Sequence, residues 1–239
     1  ARAQTEKVVN SNAQFWISTN NIYVFSDRWG VLTDLHIRRT NFIKDPSFYF
    51  VRAGLQYWIK ENLRVAGGYA HLWLTNEETK WDRYTNENRI YQQVSLTHRY
   101  PGSSMFLRIR NEQRFFNTIE SGESLDDNYV VNRVRLLMSV NVPFKKGGRT
   151  SFMIADEVHL NFGKTIVYNT FNQNRFTIGI NHKISAKWRF DTGYMMVYQQ
   201  TAAGNVYNLN HTFRLFFYGN FDFRKDKSRK LELLRQADE

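Results

Sequence analysis

A strict alternation of charged and apolar side chains runs through the segment Ser104–Asn117. One face of this segment carries Phe106, Arg108, Arg110, Glu112, Arg114 and Phe116, and the other carries Met105, Leu107, Ile109, Asn111, Gln113 and Phe115. Successive side chains of a strand point to opposite faces, so this segment is a strand with one charged and one apolar face. A membrane β-barrel has this pattern, because its polar lumen faces strands whose other side contacts lipid.

Segments with similar alternation recur along the whole chain. They are Gln14–Val24, Gly30–Arg39, Ser47–Ile59, Leu63–Thr75, Asn88–Arg99, Ser104–Asn117, Tyr129–Val142, Ser151–Phe162, Asn174–Ile184, Trp188–Gln199 and Val206–Phe221. A tilted strand needs roughly 9–11 residues to cross a bilayer, and these segments are long enough. Bacterial barrels carry even strand numbers, so a further strand at Gln4–Asn10 is predicted. The fold class is therefore all-β: an antiparallel transmembrane β-barrel of about 12 strands (10–12).

The connections between these segments alternate in length. Short turns at 26–28, 60–62, 101–103, 145–148 and 185–187 alternate with loops at Thr40–Pro46, Asn76–Glu87, Thr118–Asn128, Asn161–Asn172 and Gln200–Asn205. Outer-membrane barrels have short periplasmic turns and longer extracellular loops. The domain organisation predicted is an N-terminal segment at 1–13 (a first strand or a tail), a barrel at 14–223 and a basic periplasmic tail at 224–239.

The strand phase assigns a charged, arginine-rich set of side chains to the lumen. Its members are Asp34, His36, Arg38, Arg52, Arg108, Arg110, Glu112, Arg114, Arg133, Arg135, Glu157, His159, Arg175, Asp191 and Arg214. A lipid-facing Arg or Lys at the middle of the bilayer costs about 2–4 kcal/mol, which fixes the phase. We expect these groups to form a salt-bridged network that fills the lumen. The alternative is an anion-selective or anion-binding lumen, because rings of arginine favour anions.

Composition excludes several classes of function. The 239-residue chain has no cysteine, which rules out disulfides and thiolate metal sites. Its net charge is +11, but the arginines are spaced singly inside strands instead of forming a basic patch, so no nucleic acid is expected as a partner. The six histidines are scattered, and a metal site needs three or four convergent ligands, so we expect no metal and no cofactor.

Several short motifs, taken in their order along the chain, resemble one known family. They are QFWIS (Gln14–Ser18), LHIRR (Leu35–Arg39), RNEQRF (Arg110–Phe115), NRVRLL (Asn132–Leu137), DEVHLNF (Asp156–Phe162), NQNRFTIGI (Asn172–Ile180) and DTGYMMVYQ (Asp191–Gln199). The chain is similar to an uncharacterised family of outer-membrane β-barrels of Gram-negative bacteria, over roughly Gln14 to Phe221. The resemblance implies a barrel in the outer membrane and brings no catalytic residues.

These observations predict a non-enzymatic outer-membrane barrel, an accessory or structural subunit of a larger envelope assembly. Its partners would be the lipid bilayer, lipopolysaccharide and other outer-membrane or periplasmic proteins. The alternative is a narrow, porin-like anion-selective pore or a small-anion binder. A further alternative is an outer-membrane lipid hydrolase. The nearest stretch to a phospholipase motif is His159–Gly163, which has no serine beside its inward-facing histidine, whereas a nucleophile and its base must lie within hydrogen-bond reach.

Overall fold

Twelve β-strands make up the regular structure of the described residues. The computed structural model describes residues 6–75, 81–125 and 127–225. The strands are β1 (Val8–Val24), β2 (Trp29–Thr40), β3 (Asp45–Trp58), β4 (Leu63–Leu74), β5 (Arg83–Tyr100), β6 (Ser103–Glu120), β7 (Glu123–Ser124), β8 (Tyr129–Pro143), β9 (Thr150–Phe162), β10 (Phe171–Lys183), β11 (Trp188–Gln200) and β12 (Val206–Asp222). The described residues contain no helix long and apolar enough to cross a membrane. The all-β prediction is confirmed.

Eleven of these strands close into a barrel. Neighbours along the chain pair antiparallel from β1 to β6 and from β8 to β12, and β6 pairs antiparallel with β8. The short β7 pairs only with the end of β6. β1 and β12 close the barrel in parallel, from Val8 opposite Val206 to Val24 opposite Asp222. An odd number of up-and-down strands requires this, because the first and last strands then run in the same direction.

The separate strand predicted at Gln4–Asn10 is wrong. Val8–Asn10, the part of it that the structure describes as strand, is the beginning of β1 and continues without a break into Gln14–Val24. Residues 1–5 lie outside the described ranges. The predicted barrel of about 12 strands is confirmed, with eleven strands in the closed barrel, one short extra strand and a single parallel pair.

The strands are staggered around the barrel. Following paired residues from Val24 through every strand returns to β1 at Asn10, fourteen positions earlier. This shift is the shear of the barrel, and it goes with strongly tilted strands. Because of the tilt, inward side chains from different rows of the ladder come to the same height in the lumen.

Burial alternates along the strands as the sequence pattern predicts. Arg108, Arg110 and Glu112 are buried in the lumen, whereas Ile109 between them is 58% exposed. The outer surface carries apolar side chains on every barrel strand. Examples from the middle of the strands are Leu35, Val51, Leu55, Tyr69, Ile90, Val94, Ile109, Leu136, Met138, Ile154, Ile178, Tyr194 and Phe213. We call this set the outer belt.

Two pairs of glycines face each other where neighbouring strands approach closely. Gly54 on β3 lies opposite Gly68 on β4, and Gly179 on β10 lies opposite Gly193 on β11. A Cβ atom on Gly54 would collide with the hydroxyl of Tyr91, which reaches β3 from β5 along the inner wall. Glycine is therefore needed here to leave room inside the barrel for a large side chain.

The two ends of the barrel differ in their connections. At the turn end lie the short connections 25–28, 59–62, 101–102, 144–149 and 184–187, and at the loop end lie 41–44, 75–82, 121–128, 163–170 and 201–205. The predicted loop at Thr40–Pro46 is only four residues long, and Arg83–Glu87 of another predicted loop belong to β5. The predicted C-terminal tail falls outside the described residues from 226 onward.

Candidate functional site

The lumen contains all fifteen charged and histidine side chains that the sequence assigns to it. All but Arg114, which is half-buried, are buried inside the barrel. They lie on eight strands, β2, β3, β6 and β8 to β12, at positions that alternate with outward ones along each strand. Three glutamates organise arginines into shared ion pairs, and two aspartates on other strands bind arginines as well.

Glu112 on β6 is the most shared carboxylate. Arg133 donates from Nε to Oε2 at 2.8 Å, and Arg135 donates from Nη1 to Oε1 at 3.0 Å. The guanidinium groups of Arg110 and Arg89 lie 3.7 and 3.9 Å away. Charge-assisted hydrogen bonds of this kind are stronger than neutral ones. Glu112 thereby ties β5, β6 and β8 together through their side chains.

Glu157 on β9 forms a second shared centre. Arg135 donates to both of its oxygens, at 3.0 and 2.8 Å, and Arg108 donates at 2.5 Å. The guanidinium of Arg175 lies 3.7 Å from Oε2, and His159 Nε2 lies 2.9 Å from the same oxygen. Since Arg135 also binds Glu112, the two centres form one network.

Glu87 is a member of this network that the sequence pattern missed. Its carboxylate is fully buried and accepts hydrogen bonds from Arg89 and from Arg114, whose Nε and Nη2 lie at 2.5 and 3.0 Å. The sequence pattern places Glu87 in a loop, because the predicted strand begins at Asn88. The two-residue spacing of Glu87, Arg89 and Tyr91 could have identified Glu87 as an inward residue of β5.

Two buried aspartates also bind arginines. Asp34 binds Arg52. Arg214 donates to Asp191 Oδ1 from Nε at 3.2 Å and from Nη2 at 3.0 Å, and the Tyr218 hydroxyl donates to Oδ2 at 2.7 Å. These pairs bring arginines of β3 and β12 into contact with buried carboxylates.

Aromatic side chains on β1 and β3 hold another arginine in place. The guanidinium of Arg38 lies 3.4 Å from the centre of the Trp16 ring and 4.2 Å from that of Phe48. Arg175 approaches Trp16 from the opposite wall, at 5.0 Å. Cation–π contacts of this kind are worth about 0.5–2 kcal/mol, depending on desolvation.

An arginine-lined cavity of about 230 Å³ lies in the loop-end half of the lumen. We call it the cup. Its lining includes six arginines: Arg38, Arg89, Arg114, Arg133, Arg135 and Arg175. Among the described residues that line the cup there is no aspartate or glutamate. Polar side chains of Gln14, His36, Ser47, Asn172, Gln173, Gln199 and Asn210 complete the polar part of the lining.

A cluster of apolar side chains lies inside the barrel at the turn end. Its members Ile22, Val24, Leu32, Trp58 and Tyr218 pack together, and none is more than 1% exposed. We call these five residues the floor. The cup and the floor therefore lie towards opposite ends of the lumen.

A family model with the description "Protein of unknown function (DUF2490)" matches residues 13–208. The chain belongs to this family. The predicted resemblance to an uncharacterised family is confirmed, and the outer-membrane location remains a prediction. The comparison with curated proteins found no match. The family match includes most of β1, every strand from β2 to β11 and the beginning of β12, and with them all six arginines of the cup.

Histidine chemistry has little support in this member of the family. His159 is buried, with Nδ1 2.9 Å from the amide nitrogen of Gln173 and Nε2 2.9 Å from a carboxylate oxygen of Glu157, so both ring nitrogens face groups of the lumen network. His36 packs edge-on against the ring of Phe50 at 4.7 Å. Within the described ranges, no three or more histidine, aspartate or glutamate side chains are grouped to hold a metal ion.

Proposed function

We propose that this protein is a non-enzymatic β-barrel of the bacterial outer membrane and an accessory or structural subunit of a larger envelope assembly. The observation that carries the membrane placement is the outer belt. Its apolar side chains are exposed around the whole barrel, while the charged rows on the same strands are buried. A water-soluble barrel would expose those charges, whereas in a bilayer a lipid-facing arginine costs about 2–4 kcal/mol.

Stacked aromatic side chains at both margins of the outer belt support the same placement. Tyr198 and Tyr207 stack at 5.1 Å near the loop end, and Trp29 packs edge-on against Tyr57 at 4.8 Å near the turn end. Tyrosine and tryptophan are enriched where a membrane meets water. We propose that the belt contacts lipid acyl chains and that the loop end faces lipopolysaccharide.

Carbonate extraction tests the membrane placement. Bacterial membranes containing the protein are washed at high pH and then with detergent. The proposal predicts that the protein stays in the membranes during the wash at high pH and is released by detergent. Release by carbonate would contradict it, because a peripheral or soluble protein does not need its apolar surface solvated by detergent.

A closed lumen supports a structural role over a conducting pore. The five floor residues occupy the turn end without exposure to solvent, and the charged network lies above them. Ion flow needs a continuous hydrated path, and such packing interrupts it. In planar bilayers we expect no steady single-channel steps. Reproducible anion-selective steps would favour the pore instead.

A polar patch within the outer belt supports a partner protein. Gln92 on β5 and Asn111 and Gln113 on β6 face outward, beside Ile90 and Ile109, and hydrogen-bond to one another at 3.1–3.4 Å. We call these three residues the outer polar patch. Amide groups are expensive in hydrocarbon, and polar side chains commonly join transmembrane elements to each other. We propose that this patch contacts another membrane protein.

Site-specific photo-crosslinking tests this contact. A photo-reactive residue replaces Asn111 in one variant and Phe213 in a control, since Phe213 lies in the outer belt on the opposite side of the barrel. The proposal predicts a discrete protein adduct from position 111 and only lipid adducts from position 213. Lipid adducts alone from both positions would contradict a subunit role through this surface.

The proposal that the protein is not an enzyme is tested separately from its location. The lipid hydrolase alternative predicts that purified protein releases fatty acid from phospholipid vesicles with calcium present. We expect no release above that of a heat-denatured sample.

A second candidate function, binding of small anions, is favoured by one specific observation, the six arginines around the cup.

A further inference from the structure

We infer that the cup is a binding site for a small phosphate monoester that carries hydroxyl groups. This inference deepens the second candidate function and rests on it, and it is independent of the membrane placement. Six arginines from β2, β5, β6, β8 and β10 converge on one cavity that opens at the loop end. Arginine recognises phosphate through paired N–H donors that match two oxygens of the anion.

The charge balance of the lumen calls for an anion. Ten arginines on the described strands are buried (Arg38, Arg52, Arg64, Arg89, Arg108, Arg110, Arg133, Arg135, Arg175 and Arg214), against five buried carboxylates (Asp34, Glu87, Glu112, Glu157 and Asp191). Ten positive charges against five negative ones leave an excess of five. Burying net charge is costly unless a counter-charge accompanies it. An oxyanion in the cup would supply that counter-charge beside the arginines that line it.

The arginines of the cup are held in place before any ligand arrives. Glu87 receives two hydrogen bonds from Arg114, and it binds Arg89 as well. Trp16 and Phe48 lie against the guanidinium of Arg38. Fixing the donors in advance lowers the entropy that binding must overcome. The site thus has the rigidity that recognition of a small anion requires.

Polar amides in the cup point to a ligand with hydroxyl groups. Asn172 is 7% exposed, and its Oδ1 has no hydrogen-bond partner, although it lines the cavity. A buried acceptor without a partner is costly, and a ligand hydroxyl would satisfy it. Gln14 and Gln199 line the same cavity. A ligand whose phosphate binds the arginines and whose hydroxyl binds an amide would be a phosphorylated polyol or sugar.

The size of the cup limits the ligand. A volume of about 230 Å³ is several times the ~30 Å³ of one water molecule and below the ~300 Å³ at which pockets for drug-sized ligands begin. Aromatic and aliphatic side chains, among them Phe50 and Leu72, line the cup as well. They provide contact for the carbon atoms of a short polyol.

Calorimetric titration of the purified, detergent-solubilised protein tests the inference. The probe is glycerol 3-phosphate, with inorganic phosphate and glycerol as reference ligands. We expect glycerol 3-phosphate to bind, inorganic phosphate to bind more weakly and glycerol not to bind. Affinity should fall as salt increases, because the contacts are ionic. No binding of glycerol 3-phosphate at low salt would overturn the site, and equal affinity for inorganic phosphate would overturn the hydroxyl contacts.

Three variants locate the binding. Arg114→Gln removes a half-buried guanidinium at the cup, while Glu87 keeps its bond to Arg89. Arg149→Gln removes the same charge from an exposed position at the turn end. We expect Arg114→Gln to weaken binding at least about tenfold, Arg114→Lys to give an intermediate affinity, and Arg149→Gln to leave affinity unchanged. An equal loss in Arg114→Gln and Arg149→Gln would overturn the assignment to the cup.

Two further readouts keep the outcome unambiguous. Electrophoresis of unheated samples first verifies that each variant is folded. Its affinity is then compared with that of the wild type. Phosphatidic acid in the micelles provides a lipid-borne phosphate. Displacement of glycerol 3-phosphate by phosphatidic acid would overturn a water-soluble ligand. If neither glycerol 3-phosphate nor phosphatidic acid binds and planar bilayers show no conductance, the anion site is wrong, and the proposal of a non-conducting barrel is unaffected.

Discussion

The cup and the floor occupy the two ends of one lumen and are built on the same strands. In the cup the inward positions carry arginines that share a few glutamates, so positive charge is in excess. In the floor the inward positions are apolar and fully buried. The stagger of the strands is continuous through both. The difference therefore comes only from which side chains occupy the inward positions.

This contrast assigns recognition of a ligand to the cup and packing of the lumen to the floor. The floor resembles the core of a soluble protein, where burial of apolar surface contributes about 25 cal/mol per Å². The network above it places charges where desolvation opposes their attraction, so a buried ion pair adds little net stability. A protein that needed only a filled barrel would gain more from an apolar lumen throughout. The arginines of the cup therefore support the inferred binding role at the loop end.

Removing the most shared carboxylate should have the largest effect. Glu112→Gln leaves Arg133 and Arg135 without their charged acceptor in a buried site, and breaking such a pair costs about 3–5 kcal/mol. We expect the free energy of unfolding to fall by this amount in urea titrations of the protein in lipid vesicles. The matched control is Glu120→Gln, because Glu120 is exposed and lies 3.7 Å from Arg83. A change of more than about 1 kcal/mol in the control would contradict the distinction.

A cavity in the floor should have the next largest effect. Leu32→Ala removes a side chain that is 1% exposed, and such truncations cost about 2–5 kcal/mol. Leu35→Ala on the same strand provides the control, since Leu35 faces outward and is 54% exposed. The same urea titrations should give a clearly smaller loss for Leu35→Ala. Equal losses would mean that the floor is not a packed core.

Disrupting the stacked arginine should have a smaller effect. Arg38→Leu removes the contacts with Trp16 and Phe48, for which we expect a loss of about 0.5–2 kcal/mol in the free energy of unfolding. Arg28→Leu at the turn end is the comparison, because its guanidinium lies 5.9 Å from the ring of Tyr57 in an exposed position. A loss for Arg28→Leu as large as that for Arg38→Leu would argue against a special role for the lumen stack.

The smallest effect concerns a loop carboxylate at the loop end. Hydrogen bonds from the Thr118 side chain and from its backbone N–H, which donates to Asp127 Oδ1 at 2.9 Å, hold the pKa of Asp127 below its usual value. A lowered pKa means that the contribution is present at neutral pH and is lost as the pH falls through the folded pKa. Carboxyl-carbon NMR titration should give a midpoint below about 3.9. A midpoint at or above that value would contradict this contact.

The sequence pattern predicts the charged lumen well because its alternation is strong. In β6, Arg108 to Arg114 alternate with Ile109 and its neighbours, so only one phase avoids placing charge in lipid. The resulting inward positions agree with the buried side chains of the structure. Glu87 was missed because Asn86 and Asn88 beside it are typical loop residues.

The floor and the pairing of β1 with β12 are harder to predict from the sequence. Ile22, Tyr23, Val24 and Phe25 are apolar on both faces, so a period of two gives no contrast there, and the inward members cannot be distinguished from the outward ones. The parallel pairing of β1 with β12 joins strands almost two hundred residues apart. Local patterns carry no information on which distant strand completes a sheet.

The central claim is that the outer belt faces lipid, the cup faces water and the floor faces neither. Because the chain has no cysteine, single spin labels can be placed at Ile109 in the belt, Gln199 in the cup and Ser139, which is buried between the cup and the turn end. In lipid vesicles we expect oxygen to relax the label at 109, a water-soluble nickel chelate to relax the label at 199, and neither to reach 139. Relaxation of the label at 109 by the nickel chelate would contradict the account.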